Sequence, residues 1–361
     1  MKEFIELTEN LAKLISDIEA KRKKVGEFLR MISTIAVDED ILEEKIILKV
    51  QPAKAELELA GVDGGLVKKS FHGIDLMLLR AVGVIFSYKD GKLDKVEYYP
   101  NSIPTPEPRV VVDPFSELEF EVNSNIERQI KEVTIAKETI EKYEPEILLM
   151  HGSVIPHYTF VPDKSSLIFS SYRRMIDAYQ QLFNTVKKRK TILAGVIEDS
   201  RGTRFCEIVS EKILPKQKKS LSAAVKLTLL RTKDSNLLTY ALQKGERTFV
   251  FPYSSKQKKH PILREFPSDQ IYSFYLKPVE FDRPIRIDFL GDKGVSVADR
   301  LSSILVGLSG HEGYAVPSVL VEADQRAKLT EKDLELFYFD LVNRVGNLPG
   351  LYTKRREQRP F

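Results

Sequence analysis

The chain has 361 residues, 42% of them hydrophobic and 30% charged, with a formal net charge of +4. That suffices for one large or two ordinary domains with a buried core, and no apolar run approaches the roughly 20 residues needed to span a bilayer. The single cysteine, Cys206, excludes an internal disulfide and a cysteine-based zinc site, so any metal must be held by oxygen and imidazole. The N-terminus Met1-Lys2-Glu3-Phe4 lacks the basic-then-apolar order of a signal peptide, so the expected location is the cytoplasm.

Residues 1 to about 32 carry Phe4, Ile5, Leu11, Leu14, Ile15, Ile18, Val25, Phe28 and Leu29 at mixed three and four spacing, the mark of an amphipathic helix. We take residues 1–45 as an N-terminal helical arm whose apolar face needs a partner, either the body of the protein or a second subunit. Residues 46–361 form the main domain. Its first feature is Leu57-Glu58-Leu59-Ala60-Gly61-Val62-Asp63-Gly64-Gly65, an apolar run read as a strand whose last residue is Asp63. Glycines around a carboxylate let the backbone turn and approach a ligand closely, so Asp63 is placed to hold a hard cation; an ordinary Asp-Gly hairpin turn is the alternative.

Ile74 to Tyr88 and Leu93 to Tyr99, joined by Lys89-Asp90-Gly91-Lys92, read as strands of a meander. Asn101 to Pro114, with four prolines, reads as a loop or extended linker. A long helix follows, starting near Ser116 or Ser124 and ending at Tyr143 before Pro145, with Glu132 beside its buried stripe and near Arg128. Then Glu146 to Met150 repeats the opening arrangement, an apolar run leading to a ligand-capable residue and glycine, here His151-Gly152-Ser153. Helices near 170–186, 206–213, 235–244, 297–307, 318–326 and 331–345 alternate with strands near 191–197, 248–251, 271–277 and 285–289. A meander followed by alternating strands and helices argues α/β with a mixed central sheet and C-terminal helices.

Basic residues are clumped at Lys187-Lys188-Arg189-Lys190, Lys216-Gln217-Lys218-Lys219, Lys256-Gln257-Lys258-Lys259-His260 and Lys354-Arg355-Arg356. Such clusters suit phosphate backbones, although each also fits a solvated loop or helix end. Tyr172-Arg173-Arg174 joins a planar ring to two cations at the start of a helix and is the better candidate for DNA contact. Glu198 and Asp199 are candidate auxiliary ligands in a polar turn.

The order Gly61-Val62-Asp63-Gly64-Gly65, then Glu132 with Ala136, then Gly152-Ser153, resembles the NurA nuclease family of archaea and some bacteria. The likeness continues through Ala194-Gly195-Val196-Ile197 with Ser200-Arg201, Gly245-Glu246-Arg247-Thr248, and Gly313-Tyr314 with Pro317 and Ala323. It covers about residues 55 to 330. The resemblance implies a ribonuclease-H-like core, a homodimer, manganese-dependent 5′-to-3′ exonuclease and single-strand endonuclease activity on DNA, and partnership with the hexameric HerA translocase in DNA-end resection.

Carried over from the family, the metal set begins with Asp63 and Glu132. Two positions depart: His151 stands where the family has the Asp of an Asp-Gly-Ser motif, and Asp324 where it has the His of an Ala-His pair. The exchange keeps the inventory at three carboxylates and one imidazole, which suits Mn²⁺, with Mg²⁺ the other candidate. Glu198 stands where the family tends to carry a lysine, and Lys187 to Lys190 could supply that charge from nearby. The expected mechanism is metal-assisted phosphodiester hydrolysis by Asp63, Glu132, His151 and Asp324. The other readings are a non-catalytic relative that binds DNA or the translocase, and a related nuclease acting on RNA.

Overall fold

The computed structural model describes residues 1–112, 115–217, 223–292, 294–309, 311–346 and 348–355. Pro114, Lys218, Lys219 and Arg356 of the sequence reading lie outside them. In chain order the elements are α1 (Lys2–Arg30), β1 (Ile47–Lys49), β2 (Glu58–Ser70), β3 (Ile74–Lys89), β4 (Lys92–Tyr99), β5 (Glu107–Val112), α2 (Glu117–Tyr143), β6 (Ile147–His151), α3 (Phe169–Arg189) and β7 (Ile192–Ile197). Then come α4 (Arg204–Ile208), α5 (Ala223–Arg231), α6 (Asp234–Ala241), β8 (Glu246–Thr248), β9 (Phe251–Pro252), β10 (Ile271–Lys277), β11 (Ile285–Leu290), α7 (Gly294–Gly307), α8 (Ser318–Ala327) and α9 (Glu331–Val345). The chain divides into two compact units, one of residues 1–55, 195–257 and 269–317, the other of 56–194, 258–268 and 318–361.

The first unit is built on strands in the order β1-β8-β10-β11, with β9 also on β10. Its core gathers Phe205, Phe249, Phe251 and Tyr275 with Val25 and Leu29 from the last turns of α1. The arm is thus part of this unit at its C-terminal end, where Arg30 forms a two-pronged pair with Glu246. Toward its start the same helix leaves Phe4, Ile5, Leu7, Leu11, Leu14 and Ile15 exposed.

The second unit contains strands in the order β7-β6-β2-β3-β4, with β5 also on β3. β2 and β3 are antiparallel and β2 and β6 parallel, so the sheet is mixed as expected. Asp90 and Gly91, at φ 51° and 76°, make the left-handed two-residue turn between β3 and β4. α2 starts at Ser116, whose hydroxyl accepts from the Glu119 amide, and ends at Glu144 in the left-handed conformation before Pro145.

Two expectations need correction. Asp63 is not the end of its strand, because β2 runs on to Ser70 with Asp63 opposite Val82. The segment expected as a linker contains β5, paired with β3 from Leu79–Glu107 to Ile74–Val112. Its Pro108 is tolerated because β5 is a border strand that needs hydrogen bonds on one side only.

Candidate metal centre

The register of the sheet assembles the site. β2 and β6 pair in parallel from Leu59–Ile147 to Val62–Met150, so the next residues, Asp63 and His151, stand side by side where that pairing stops. β2 passes between two helices. A Cβ on Gly61 would lie 2.9 Å from the Val319 carbonyl oxygen, and one on Gly65 2.0 Å from that of Ala327, so α8 lies against the face bearing Gly61, Asp63 and Gly65. Asp324, between Val319 and Ala327 on α8, is thereby brought over Asp63. Alternation turns Gly64 to the other face, where its missing side chain leaves 3.2 Å to Oε2 of Glu132 on α2. The glycines therefore serve close helix approach, not the turn expected from the sequence.

Asp63, His151 and Asp324 each offer a ligand atom, and these atoms lie within 4.8 Å of one another. Nδ1 of His151 is 2.8 Å from Oδ2 of Asp63, while Oδ1 of Asp63 accepts from the Gly64 amide at 2.7 Å. Asp63 and Asp324 also share a side-chain hydrogen bond. Glu132 is buried, and its Oε2 accepts from Nη1 of Arg128 at 2.8 Å.

The electrostatics match a crowd of like charges. Burial pushes the Glu132 carboxyl up to about 8; Arg128 opposes the rise, the Asp63 charge adds to it and His151 opposes it. Burial also raises the Asp324 carboxyl, with Asp63 adding to the shift and His151 and Lys328 opposing it. Carboxyls that hold protons against their ordinary preference are groups that a divalent cation would relieve. The donor set of carboxylate oxygens and one imidazole fits Mn²⁺.

Other sequence candidates are placed elsewhere. Tyr172 is 2% exposed, with its hydroxyl directed at Glu265, so its ring lies in the core and cannot stack on a base as the sequence suggested. Arg173 pairs with Glu265 and Arg174 with Glu127, both at the α3 start. Lys187, Lys188, Arg189 and Lys190 are exposed at the far end of α3. There Arg189 pairs with Glu144 and the Ile192 amide donates to Glu146, which puts the run at the start of β6. His151 closes that strand, so the run cannot supply the charge missing at the site. Asp199 pairs with Arg283 and Glu198 accepts from Tyr314, in the first unit. The sequence reading placed Arg128 near Glu132 but gave it no role, although its i,i+4 spacing from Glu132 was the available signal.

The NurA domain family matches residues 57–329. The chain belongs to the NurA family. Similar solved structures include the NurA nuclease from Sulfolobus solfataricus, at TM-score 0.60 and 15% identity, covering 96% of this chain and 98% of that one. A NurA bound to dAMP and manganese matches at TM-score 0.53 and 11% identity over 97% and 99% of the two chains. No curated protein sequence matches. Identities this low establish that the NurA fold is shared. Among the described residues no helix is long and apolar enough to cross a membrane.

Proposed function

We propose that the protein is a manganese-dependent deoxyribonuclease whose cation is held by Asp63, His151 and Asp324, with Glu132 completing the acidic set. The observation that carries this reading is the convergence of three ligand atoms from β2, β6 and α8 within 4.8 Å in a NurA-family chain. The cation would lower the pKa of a bound water and offset charge on the phosphate and leaving oxygen. The chain's own part is to fix that position. Asp63 is anchored by the Gly64 amide and by His151, and Asp324 is held by α8 packed on β2. His151 and Asp324 exchange the residue types of the family pattern while facing the same Asp63, which favours a compensated site over a decayed one.

The finer reading follows the family: 5′-to-3′ exonuclease and single-strand endonuclease action on single- and double-stranded DNA ends, a homodimer, and work with a HerA-type hexameric ATPase in double-strand-break repair. The test is incubation of end-labelled linear single-stranded DNA with Mn²⁺, Mg²⁺ or chelator, with RNA of the same sequence in parallel. Loss of full-length DNA only with metal is expected, and persistence of DNA in every metal would leave the non-catalytic DNA-binding or translocase-binding reading.

A further inference from the structure

Apart from the metal centre, the second unit holds a cavity of about 510 Å³ at the start of α3. That is the size of a small-molecule pocket, roughly 300–1,000 Å³. Lys164, Arg173 and Arg264 line it against a single carboxylate, Glu265, so positive charge is in excess. The carboxylate is already engaged. Nη1 of Arg173 donates to its Oε2 at 2.8 Å, and the Tyr172 hydroxyl reaches its Oε1 at 3.5 Å. Burial and then the Glu265 charge push the Tyr172 phenol up to about 12, so it keeps its proton as a donor. Arg264 comes no nearer to Glu265 than 3.9 Å, through Nε, and Lys164 is exposed with no hydrogen bond or ion pair to the described residues. Half-buried Phe169, its ring 6.1 Å from that of Tyr172, adds an apolar wall.

Resting on the nuclease reading above, we propose that this cavity is a second DNA subsite, which holds one nucleotide of a single strand away from the metal centre, with its phosphate on Lys164, Arg173 and Arg264 and its sugar or base against Phe169. Guanidinium groups stay charged at every working pH and present paired donors to phosphate oxygens. Cations beside an aromatic wall hold a strand without reading its sequence. Arg174 is not part of the subsite, because it is spent on Glu127 of α2, and nearby the Ser166 hydroxyl donates to Glu119 of the same helix. Those two α2 positions precede Glu132 by about 8 and 20 Å along the helix axis. No residue lining the cavity belongs to the metal triad, so Lys164, Arg173 and Arg264 position the strand and take no part in the cut.

The test uses the full chain and the double variant Lys164→Gln with Arg264→Gln, whose exposed side chains support no core. A second pair, Lys188→Gln with Lys190→Gln at the far end of α3, makes the same change in net charge and serves as control. In chelator, the anisotropy of a labelled single-stranded oligodeoxynucleotide should show about tenfold weaker binding for the first pair, with a salt slope shallower by about 1.4, and a loss of less than twofold for the control. Calorimetry with MnCl₂ should give the parental affinity in both. In Mn²⁺ the first pair should raise KM for the oligonucleotide about tenfold and leave kcat unchanged. Equal losses in the two pairs would reduce the effect to net charge, and an oligonucleotide affinity unchanged in the first pair would remove the subsite; either overturns the proposal. So would loss of dAMP binding with oligonucleotide binding intact, since the cavity would then serve a free nucleotide. Weakened binding in the first pair alone, in a parent that cuts no DNA with any metal, would instead sink the nuclease reading and leave the cavity as a strand-binding site.

Discussion

Gly65 of β2 passes Ala327 of α8 so closely that a Cβ on the glycine would lie 2.0 Å from the alanine's carbonyl oxygen. The obstacle is backbone, which has no flexible end to swing away. Gly65→Ala should therefore push α8 outward and carry Asp324 with it. Overpacking of this kind costs about 1–3 kcal/mol, and denaturant titration is expected to show a loss of that size. Mn²⁺ affinity should fall in the same variant. An unchanged unfolding midpoint would mean that α8 can move freely on β2.

The His151 and Asp324 exchange makes a double-mutant cycle informative. Both side chains face Asp63, so they are close enough to couple. Each alanine variant should lose Mn²⁺-dependent cleavage by roughly a hundredfold or more, as Asp63→Ala should, because each removes a ligand. His151→Asp and Asp324→His should each be impaired, and the double change should recover part of the activity. Alanine variants that cut as fast as the parent would make both residues bystanders.

Metal-free stability should depend on pH through Glu132. Its carboxyl is raised to about 8 in the fold, against about 4.3 in an unfolded chain. A raised folded pKa means that the native state holds the proton more tightly. The contribution is full below the unfolded value and is lost as pH rises through the folded one. In chelator, Tm should fall between pH 6 and pH 8.5, and Glu132→Gln should flatten that fall. Scanning fluorimetry across this window tests it, and a parent Tm that falls no more across the window than that of Glu132→Gln would contradict it.

Removal of the start of α1 should leave the first unit folded. Phe4, Ile5, Leu7, Leu11, Leu14 and Ile15 are exposed, whereas among the described residues Glu19 and Arg22 hydrogen-bond to the unit through Tyr240 and Thr232, and Val25 and Leu29 are buried in its core. Deleting residues 1–16 should leave Tm within a few degrees of the parent while weakening self-association or translocase binding through the lost apolar stripe. Deleting residues 1–30 should instead destabilise the unit, since burial of each large aliphatic side chain contributes about 1.5–3 kcal/mol. Light scattering with calorimetry on the two truncations separates assembly from folding. A full-strength dimer and complex after the shorter deletion would assign the stripe no role in assembly.

Much of this protein was determined by local sequence. The periodicity from Ser116 to Tyr143 with a cap at one end and Pro145 beyond the other defines α2, and alternating apolar runs with Asp90-Gly91 between them define β3 and β4. Those are short-range effects of side-chain period and backbone preference. Residue type and order also singled out Asp63, Glu132, His151 and Asp324 through their likeness to a family pattern. Only the tertiary structure decided what the glycines are for and which face each ligand takes. Gly61 and Gly65 carry no turn; they let α8 lie on β2, a contact between segments more than 250 positions apart that no local rule can see. Tyr172 and the run from Lys187 to Lys190 both looked fit for nucleic acid because composition carries no burial and no direction. Packing put the tyrosine in the core, and the sheet topology put the basic run at the start of β6 while the candidate ligands gather at its end.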